Sequence, residues 1–144
     1  MTWAKLKDKS GPHHSTLYFL NTHFDHMGDT ARLESARLLL RFIEENTAGL
    51  PVILTGDFNC GPDEAPYAIL TSIPASLRDA CKTVGGKEEA TFNGFGRSDE
   101  NKRIDFIFTN NRLEPATYKM LNIKKDSIYI SDHYPVISRI KIKD

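Results

Sequence analysis

The chain opens with two stretches in which apolar and polar residues alternate. Residues 2–7 alternate in polarity, and so does the region around Leu17, Phe19 and Asn21. Such alternation is typical of strands. Turn-forming residues at 10–12 lie between the two stretches, so this part of the chain is predicted to be a β-hairpin.

The following stretch changes from the period of a strand to that of a helix. A helix is predicted over 30–47, with Asp29 placed to cap its start and Gly49 placed to end it. A second helix is predicted over 64–72. The inner apolar stripe of the first helix is predicted to consist of Leu33, Ala36, Leu40 and Ile43.

Short apolar runs predict further strands. The run at 52–55 has the pattern of a strand covered on both faces, and Gly56 then frees the backbone to leave it. Three more strands are expected after a loop-rich stretch from 74 to 101, near 103–109, 115–121 and 134–142. The fold class is therefore α/β, with a mixed β-sheet flanked by helices. One helix layer covers only one face, so the other requires a second sheet from missing chain, a partner molecule or a swapped copy.

Composition narrows the class of protein further. The 144 residues include 19 Lys and Arg against 19 Asp and Glu, which argues against a broad basic surface for nucleic acid but leaves a local polar cleft possible. Cys60 and Cys81 lack a metal-type spacing and are predicted to be buried free thiols. No apolar run approaches the roughly 20 residues that a bilayer requires, and no signal peptide is visible. We therefore expect no membrane, and the cytoplasm is the default location.

Four short clusters place polar residues at the ends of predicted strands. If strand geometry persists through Phe58, Asp57 and Asn59 point to one face, where a carboxylate beside a carboxamide suits water and phosphate. The alternative is a simple turn, since Gly, Asp and Asn favour turns. The clusters are Asn21-Thr22-His23, Gly56-Asp57-Phe58-Asn59, Arg103-Ile104-Asp105-Phe106 and Ser131-Asp132-His133.

Asp105 lies within a run of Ile and Phe, where an unpaired carboxylate would be costly, so it is expected to have a partner. If the strands at 103–109 and 134–142 are adjacent, Asp105 accepts a hydrogen bond from one ring nitrogen of His133, and the other nitrogen is free to take a proton. The alternative is that Asp132 ends a turn and His133 is a half-exposed strand residue.

Together the four clusters resemble the endonuclease/exonuclease/phosphatase superfamily, which has the deoxyribonuclease-I-like fold. The similarity to bacterial members covers the segments NTHFDH at 21–26, GDFN at 56–59, RIDFIF at 103–108 and SDHYPV at 131–136. The resemblance implies a two-sheet α/β sandwich, of which residues 1–144 form the C-terminal portion of one domain. The first half, absent here, usually contributes a Glu that is a principal ligand of the catalytic metal.

The resemblance also implies a metal-dependent phosphoester hydrolase, either a phosphodiesterase or nuclease or else a phosphatase, in which water attacks phosphorus. Mg²⁺ or Mn²⁺ neutralises the phosphate. His133 is implied to be the base or the phosphate-orienting group, with Asp105 holding its tautomer. Asp57 is implied to orient or deprotonate the water. Asp132 completes the metal environment, to which Asp57 and Asn59 also belong.

The substrate contacts implied by the resemblance lie mainly in the first two clusters. Asn59 holds a phosphate oxygen, and His23 contacts the scissile phosphate or assists the leaving group. Asn21 either braces the loop or touches substrate. His26 and Arg32 bind a second phosphate near the helix start, unless Arg32 pairs with one of its neighbours, Glu34 or Asp29.

A second candidate contact is the segment 91–96, which contains Asn93 and two aromatic residues. The segment either stacks a base or sugar or is a loop anchored by burial of Phe92. His13 and His14 are expected to be solvated. The expected partners are a phosphate-ester substrate, the missing first half in cis or trans, and a second copy bound through the uncovered sheet. The alternative function is a catalytically inactive half-domain that retains the fold for binding.

Overall fold

A five-stranded mixed sheet forms the centre of the computed structural model, which describes residues 1–9, 15–72, 77–98 and 102–143. The strand order is β1-β2-β3-β5-β4, with β2 parallel to β3 and the other neighbours antiparallel. The predicted pairing of β1 with β2 is confirmed. The turn at 10–12, with His13 and His14, lies outside the described residues. The strands are β1 Thr2–Lys7, β2 Thr16–His23, β3 Val52–Asp57, β4 Arg78–Asp79 and β5 Asp105–Thr109.

Two helices, α1 (Asp29–Asn46) and α2 (Ala65–Thr71), agree with the predicted helices to within one residue at each end. The prediction that Asp29 caps α1 is wrong, because Gly28 occupies the capping position and Asp29 is already helical. The predicted stripe is also wrong at two positions. Leu33 and Leu40 are only half-buried, whereas their neighbours Arg32 and Leu39 are buried, because the face of α1 that meets the sheet is rotated from the predicted stripe.

The helices cover one face of the sheet. Leu20, Leu54 and Phe108 are paired across β2, β3 and β5 and are fully buried on this face. Phe58 follows β3 and makes edge contacts with neighbouring aromatic rings, which extends the same core. The alternate residues of these strands point away from the helices, so the sheet has a packed helix face and an opposite outer face.

The outer face is only partly covered. Two strands, β6 (Leu113–Met120) and β9 (Val136–Ile142), form a separate antiparallel sheet that packs against β5 and buries Ile107. Over β1 and β2, however, Leu6 is 47% exposed and Phe19 is 37% exposed. Ile53 on β3 is half-buried. Residues 1–144 therefore cover only one face of the 52–55 strand fully, which agrees with the expectation that the cover of the other face comes from elsewhere.

Several short elements escaped prediction because they are too short to show a period. The stretch predicted as loop contains β4, a four-residue helix α3 (Ala80–Thr83) and a 3₁₀ turn (Gly94–Gly96). A small hairpin pairs β7 (Lys124–Lys125) with β8 (Ile128–Tyr129). Cys60 and Cys81 are free and buried, as predicted. No helix within the described residues is long and apolar enough to cross a membrane.

Candidate active site

Three polar side chains lie in one row across the outer face of the sheet. The strand register pairs His23 with Asp57 and Asp57 with Asp105, and residues paired on neighbouring strands point to the same face. Next to this row Gly56 lies opposite Thr22. A Cβ on Gly56 would lie 2.0 Å from the Thr22 carbonyl oxygen, and the φ of Gly56 is +152°. Glycine at 56 therefore permits the close approach of β2 and β3 beneath the row.

His133 joins the row from the segment before β9. Its Nδ1 lies 2.8 Å from Asp105 Oδ2, and its Nε2 lies 3.8 Å from Asp57 Oδ2. Because a carboxylate accepts, Nδ1 carries the hydrogen, and in the neutral ring Nε2 has a free lone pair. The predicted hydrogen bond is present, but its premise is wrong: β5 is bonded to β3 and β4, whereas β9 is bonded to β6.

The surroundings shift the pKa values of two of these groups upward. Burial lowers the pKa of His133, but the hydrogen bond to Asp105 and the charges of Asp105, Asp57 and Asp132 outweigh it, so the net shift is upward. For Asp57, burial raises the pKa, and the charge of the neighbouring Asp105 adds to this effect. The Asn59 amide and the two histidines oppose it.

Asn59 lies in a turn and not in a continued strand. β3 ends at Asp57, and Asn59 has a φ of +46°. Its backbone N–H donates to Asp57 Oδ1 at 2.8 Å, and its side-chain amide donates to the Phe24 carbonyl at 3.0 Å. Strand geometry therefore does not persist through Phe58, and the turn alternative is correct for the backbone. The turn nevertheless keeps Asn59 bonded to Asp57.

His23 and Asn21 lie two residues apart on β2, and both point to its outer face. The Nδ1–H of His23 donates to the Phe24 carbonyl at 2.8 Å, which leaves Nε2 facing Asp57 Oδ2 at 3.5 Å, and the side chain is 71% exposed. Asn21 accepts a hydrogen bond from Thr55 Oγ1 at 2.9 Å, so it braces β2 against β3. Both residues line one open cavity of about 450 Å³ with Asp57 and Asp105.

A second cavity, of about 320 Å³, opens beside His133 and Asn59, and His26, Arg32 and Phe92 line it. His26 is exposed, whereas Arg32 is buried. The Arg32 guanidinium donates to the Asp25 carbonyl and pairs with Asp29. It does not pair with Glu34, which is bonded to Arg37 instead.

Asp132 and Asn93 are joined by a backbone hydrogen bond. The N–H of Asn93 donates to the Asp132 carbonyl at 2.7 Å. Phe92 is only half-buried, so the expectation that its burial anchors this loop is wrong. The buried residues of the loop are Thr91 and Asn93. Phe95, the other aromatic residue, is 59% exposed.

The chemistry of the donors fits a hard divalent cation. Asp57, Asp105 and His133 each offer a ligand atom, and these atoms lie within 4.8 Å of one another. Carboxylate oxygens are the donors that Mg²⁺ and Mn²⁺ prefer, and a cation would offset the burial and the neighbouring Asp105 charge that raise the pKa of Asp57. Asp132, which was expected among the ligands, is not part of this group.

Three supporting residues were missed by the sequence analysis. Asp25 accepts hydrogen bonds from the N–H groups of Met27 and Gly28, which shapes the loop between His23 and α1. The sequence signal for the role of Asp25 is its position three residues before Gly28, which occupies the capping position of α1. The buried Arg103 binds Asp79 at 2.6 Å and anchors the chain entering β5. Thr91 showed no sequence signal of its own.

Comparisons with known proteins agree with the fold described above. The model of the Endonuclease/Exonuclease/phosphatase family matches residues 4–133. An endonuclease/exonuclease/phosphatase structure from Bacteroides vulgatus is 32% identical, with a TM-score of 0.88 over 98% of this chain and 54% of that one. A family protein from Bacteroides thetaiotaomicron is 31% identical, with a TM-score of 0.86 over 99% of this chain and 55% of that one.

A third structure is the mannosyl-6-phosphatase Bt3783 of Bacteroides thetaiotaomicron VPI-5482. It is 30% identical, with a TM-score of 0.83, and the match covers 97% of this chain and 56% of that one. No curated protein matches the sequence. The chain thus spans little more than half the length of the structures it resembles.

Proposed function

Since the chain belongs to the endonuclease/exonuclease/phosphatase family, we propose that it forms the second part of a domain that hydrolyses phosphoesters. The observation that carries the proposal is the row of His23, Asp57 and Asp105 on the outer face, with His133 bonded to Asp105. The His23 imidazole and the two half-buried carboxylates border one open cavity, and His133 lines the second cavity beside it. This combination suits proton transfer beside a bound phosphate.

In the proposed mechanism His133 and Asp57 share the attacking water. Neutral His133 directs its Nδ1–H at Asp105, so its Nε2 and the Asp57 carboxylate are both acceptors, and 3.8 Å separates them. A water that donates to both acceptors presents its own lone pair to phosphorus. His133 takes the proton as the water attacks, and the resulting imidazolium is stabilised by Asp105.

The metal ligands and phosphate contacts complete this proposal. The carboxylates of Asp57 and Asp105, with Asn59 bonded to Asp57, would hold Mg²⁺ or Mn²⁺, which would neutralise charge on the phosphate when bound. Asp132 lies outside this group and is not among the proposed ligands. Asn59 also binds a phosphate oxygen through the second hydrogen of its amide, since the first is donated to Phe24. The exposed His23 contacts the scissile phosphate or the departing oxygen.

For the substrate class we favour a small phosphoester, such as a sugar phosphate, over nucleic acid. The support is the zero net charge and the identity of 30% to a mannosyl-6-phosphatase. The cavity beside His133 takes the remainder of the substrate, which His26 contacts directly at its rim. Arg32 and Asn93, both buried, bind the same part of the substrate as His26.

We also propose that the first part of the domain covers the outer face. Leu6 and Phe19 are exposed there, and the chain matches little more than half of its structural relatives. The isolated chain should therefore bind a hydrophobic dye or associate with itself. A monomer in sedimentation that binds no dye would show that this face needs no cover.

The test of function is an assay of the purified chain with sugar phosphates, a synthetic phosphodiester and single-stranded DNA. The chain alone should be slow with Mg²⁺, because the family resemblance implies a metal-binding Glu in the part of the domain that residues 1–144 do not match. Adding the part of Bt3783 that the chain does not match should raise phosphate release. Asp57→Ala should abolish this gain, whereas Asp63→Ala, an exposed carboxylate outside the site, should not.

Three results of this assay would count against the proposal. Full turnover by the chain alone, sensitive to chelator, would show that its own residues place the metal. Turnover that survives Asp57→Ala would remove the proposed site. A folded complex that hydrolyses no phosphoester would favour the inactive half-domain, and preference for DNA would reject the small substrate.

A further inference from the structure

The loop residue Thr91 is bonded to the strand that carries Asp105. Its hydroxyl is fully buried, and Oγ1 accepts hydrogen bonds from the backbone N–H groups of Ile104 and Asp105, each at 3.0 Å. The Thr91 N–H donates to the Lys102 carbonyl at 3.0 Å. The start of β5 is therefore held by one side chain and one backbone group of the same loop residue.

The same loop is bonded to the segment that carries His133. Tyr134 donates its N–H to the Thr91 carbonyl at 2.7 Å, and Asn93 and Gly94 donate theirs to the Asp132 carbonyl at 2.7 and 3.0 Å. The residues on both sides of His133 are thus fixed to the loop. The segment Thr91–Gly94, called the clamp below, touches the backbone on both sides of the hydrogen bond between Asp105 and His133.

Phe92 adds a contact to the imidazole itself. Its ring meets the His133 ring edge to face, with 5.2 Å between ring centres and an angle of 67°. Such a contact restricts rotation of the imidazole about its side-chain bonds. Restricted rotation keeps Nδ1 directed at Asp105 and Nε2 directed at Asp57.

The clamp matters because no sheet fixes the distance between Asp105 and His133. β5 and β9 belong to different sheets, so no ladder of backbone hydrogen bonds joins them. Their separation is set by side-chain packing and by the clamp. A shift of about 1 Å in either backbone would lengthen the 2.8 Å hydrogen bond beyond its useful range.

We infer that Thr91 is a positioning residue for the Asp105–His133 pair, acting through the two N–H groups that its hydroxyl accepts. The contacts above support the positioning of the Asp105–His133 pair by Thr91. The effect of this positioning on catalysis rests on the proposed function. Thr91 reaches the chemistry only through Asp105 and His133.

The chain offers a matched control on the same strand. Thr109, at the other end of β5, is also fully buried, but its hydroxyl has no hydrogen-bond partner among the described residues. Exchange to Val removes the hydroxyl at either position and keeps the shape. At 91 it leaves two buried N–H groups without an acceptor, whereas at 109 it breaks no hydrogen bond.

The experiment compares amide hydrogen exchange and the nuclear magnetic resonance signal of His133 Nδ1–H in four forms of the chain. In Thr91→Val the amides of Ile104 and Asp105 should exchange about tenfold faster than in the parent, since each loses a hydrogen bond. The Nδ1–H signal should move upfield or disappear as the bond to Asp105 lengthens. Thr91→Ser should restore both, and Thr109→Val should change neither.

A second variant covers the case in which Thr91→Val does not fold. Phe92→Leu should shift the ring signals of His133 and leave the Ile104 and Asp105 amides protected, because the hydroxyl bonds remain. In the complemented enzyme, meaning the chain combined with the part of Bt3783 that it does not match, Thr91→Val should lower kcat and leave KM unchanged.

Three outcomes would overturn the inference. One is an unchanged Nδ1–H signal in Thr91→Val, and another is equal acceleration of all β5 amides, which would mean general destabilisation. The third is loss of protection of the Ile104 and Asp105 amides in Phe92→Leu, which keeps the Thr91 hydroxyl that accepts from them. If the signals change as expected but kcat does not, the positioning stands and the catalytic role proposed for the pair fails.

Discussion

The two faces of the five-stranded sheet use the same strands for different purposes. On the helix face Leu54 and Phe108 are fully buried in a continuous apolar core. On the outer face the same strands present Asp57 and Asp105, and the apolar residues nearby remain partly exposed. Alternation along a strand is what allows one sequence to meet both demands.

This difference separates stability from chemistry. A charged row is tolerated on the outer face because it borders an open cavity, where water and a ligand can satisfy groups that the helix face would leave unpaired. Changes on the helix face should therefore affect folding, and changes in the row should affect turnover. The predictions below test this separation, from the largest expected effect to the smallest.

The largest effect is expected from His133→Ala in the complemented enzyme. Turnover should fall by roughly 10²–10⁴, because a positioned proton acceptor is lost. The melting temperature should change little, since His133 is only half-buried. Lys141→Ala, an exposed change on β9, is the control and should affect neither quantity. A normal rate in His133→Ala would make the Asp105–His133 pair structural.

On the helix face, Phe108→Ala should lower the free energy of unfolding by about 3–5 kcal/mol, because it empties a fully buried site. Phe19→Ala on the outer face should cost about 1 kcal/mol in the isolated chain, since that side chain is 37% exposed. Denaturant unfolding measures both. Equal costs would mean that the outer face is as well packed as the helix face.

A smaller effect concerns pH. The pKa of His133 is raised above its ordinary 6.5, and the proposed mechanism requires the neutral ring, so activity should rise as pH increases through the raised value. Protonated His133 correspondingly stabilises the fold at low pH, and this stabilisation is lost as pH rises through the same value. In the profile of activity against pH, Asp105→Asn should move the rising part to lower pH and reduce the maximum activity. Under conditions where chemistry limits turnover, an unchanged profile would contradict the pairing.

The sequence analysis predicted the longer elements and the contact between Asp105 and His133. Helical period and strand alternation are strong in α1, α2 and β2, because each is long enough to show them. That Asp105 has a partner was predicted for a different reason: a carboxylate among Ile and Phe requires one. That argument holds whatever the strand order is, whereas the choice of His133 as the partner rested on the family resemblance and on a strand adjacency that proved wrong.

What the sequence did not reveal depends on tertiary context. The apolar run around Ile53 does not show how much of the outer face this chain covers with its own strands, because apolar runs look alike whether or not the cover is present. The clamp was missed since Thr91 acts through backbone N–H groups that any sequence supplies. Leu39 replaced Leu40 in the core because a small rotation of α1 moves adjacent residues across the boundary.

If the row on the outer face is a cation-binding phosphoesterase site, Mn²⁺ should bind beside it even in the isolated chain. Titration with Mn²⁺, followed by paramagnetic broadening of nuclear magnetic resonance signals, detects such binding even when it is weak. We expect the signals of Asp57, Asp105 and His133 to broaden first, Leu70 on the helix side to be unaffected, and Asp57→Ala to remove the effect. Broadening that begins elsewhere, or that persists unchanged in Asp57→Ala, would contradict this expectation.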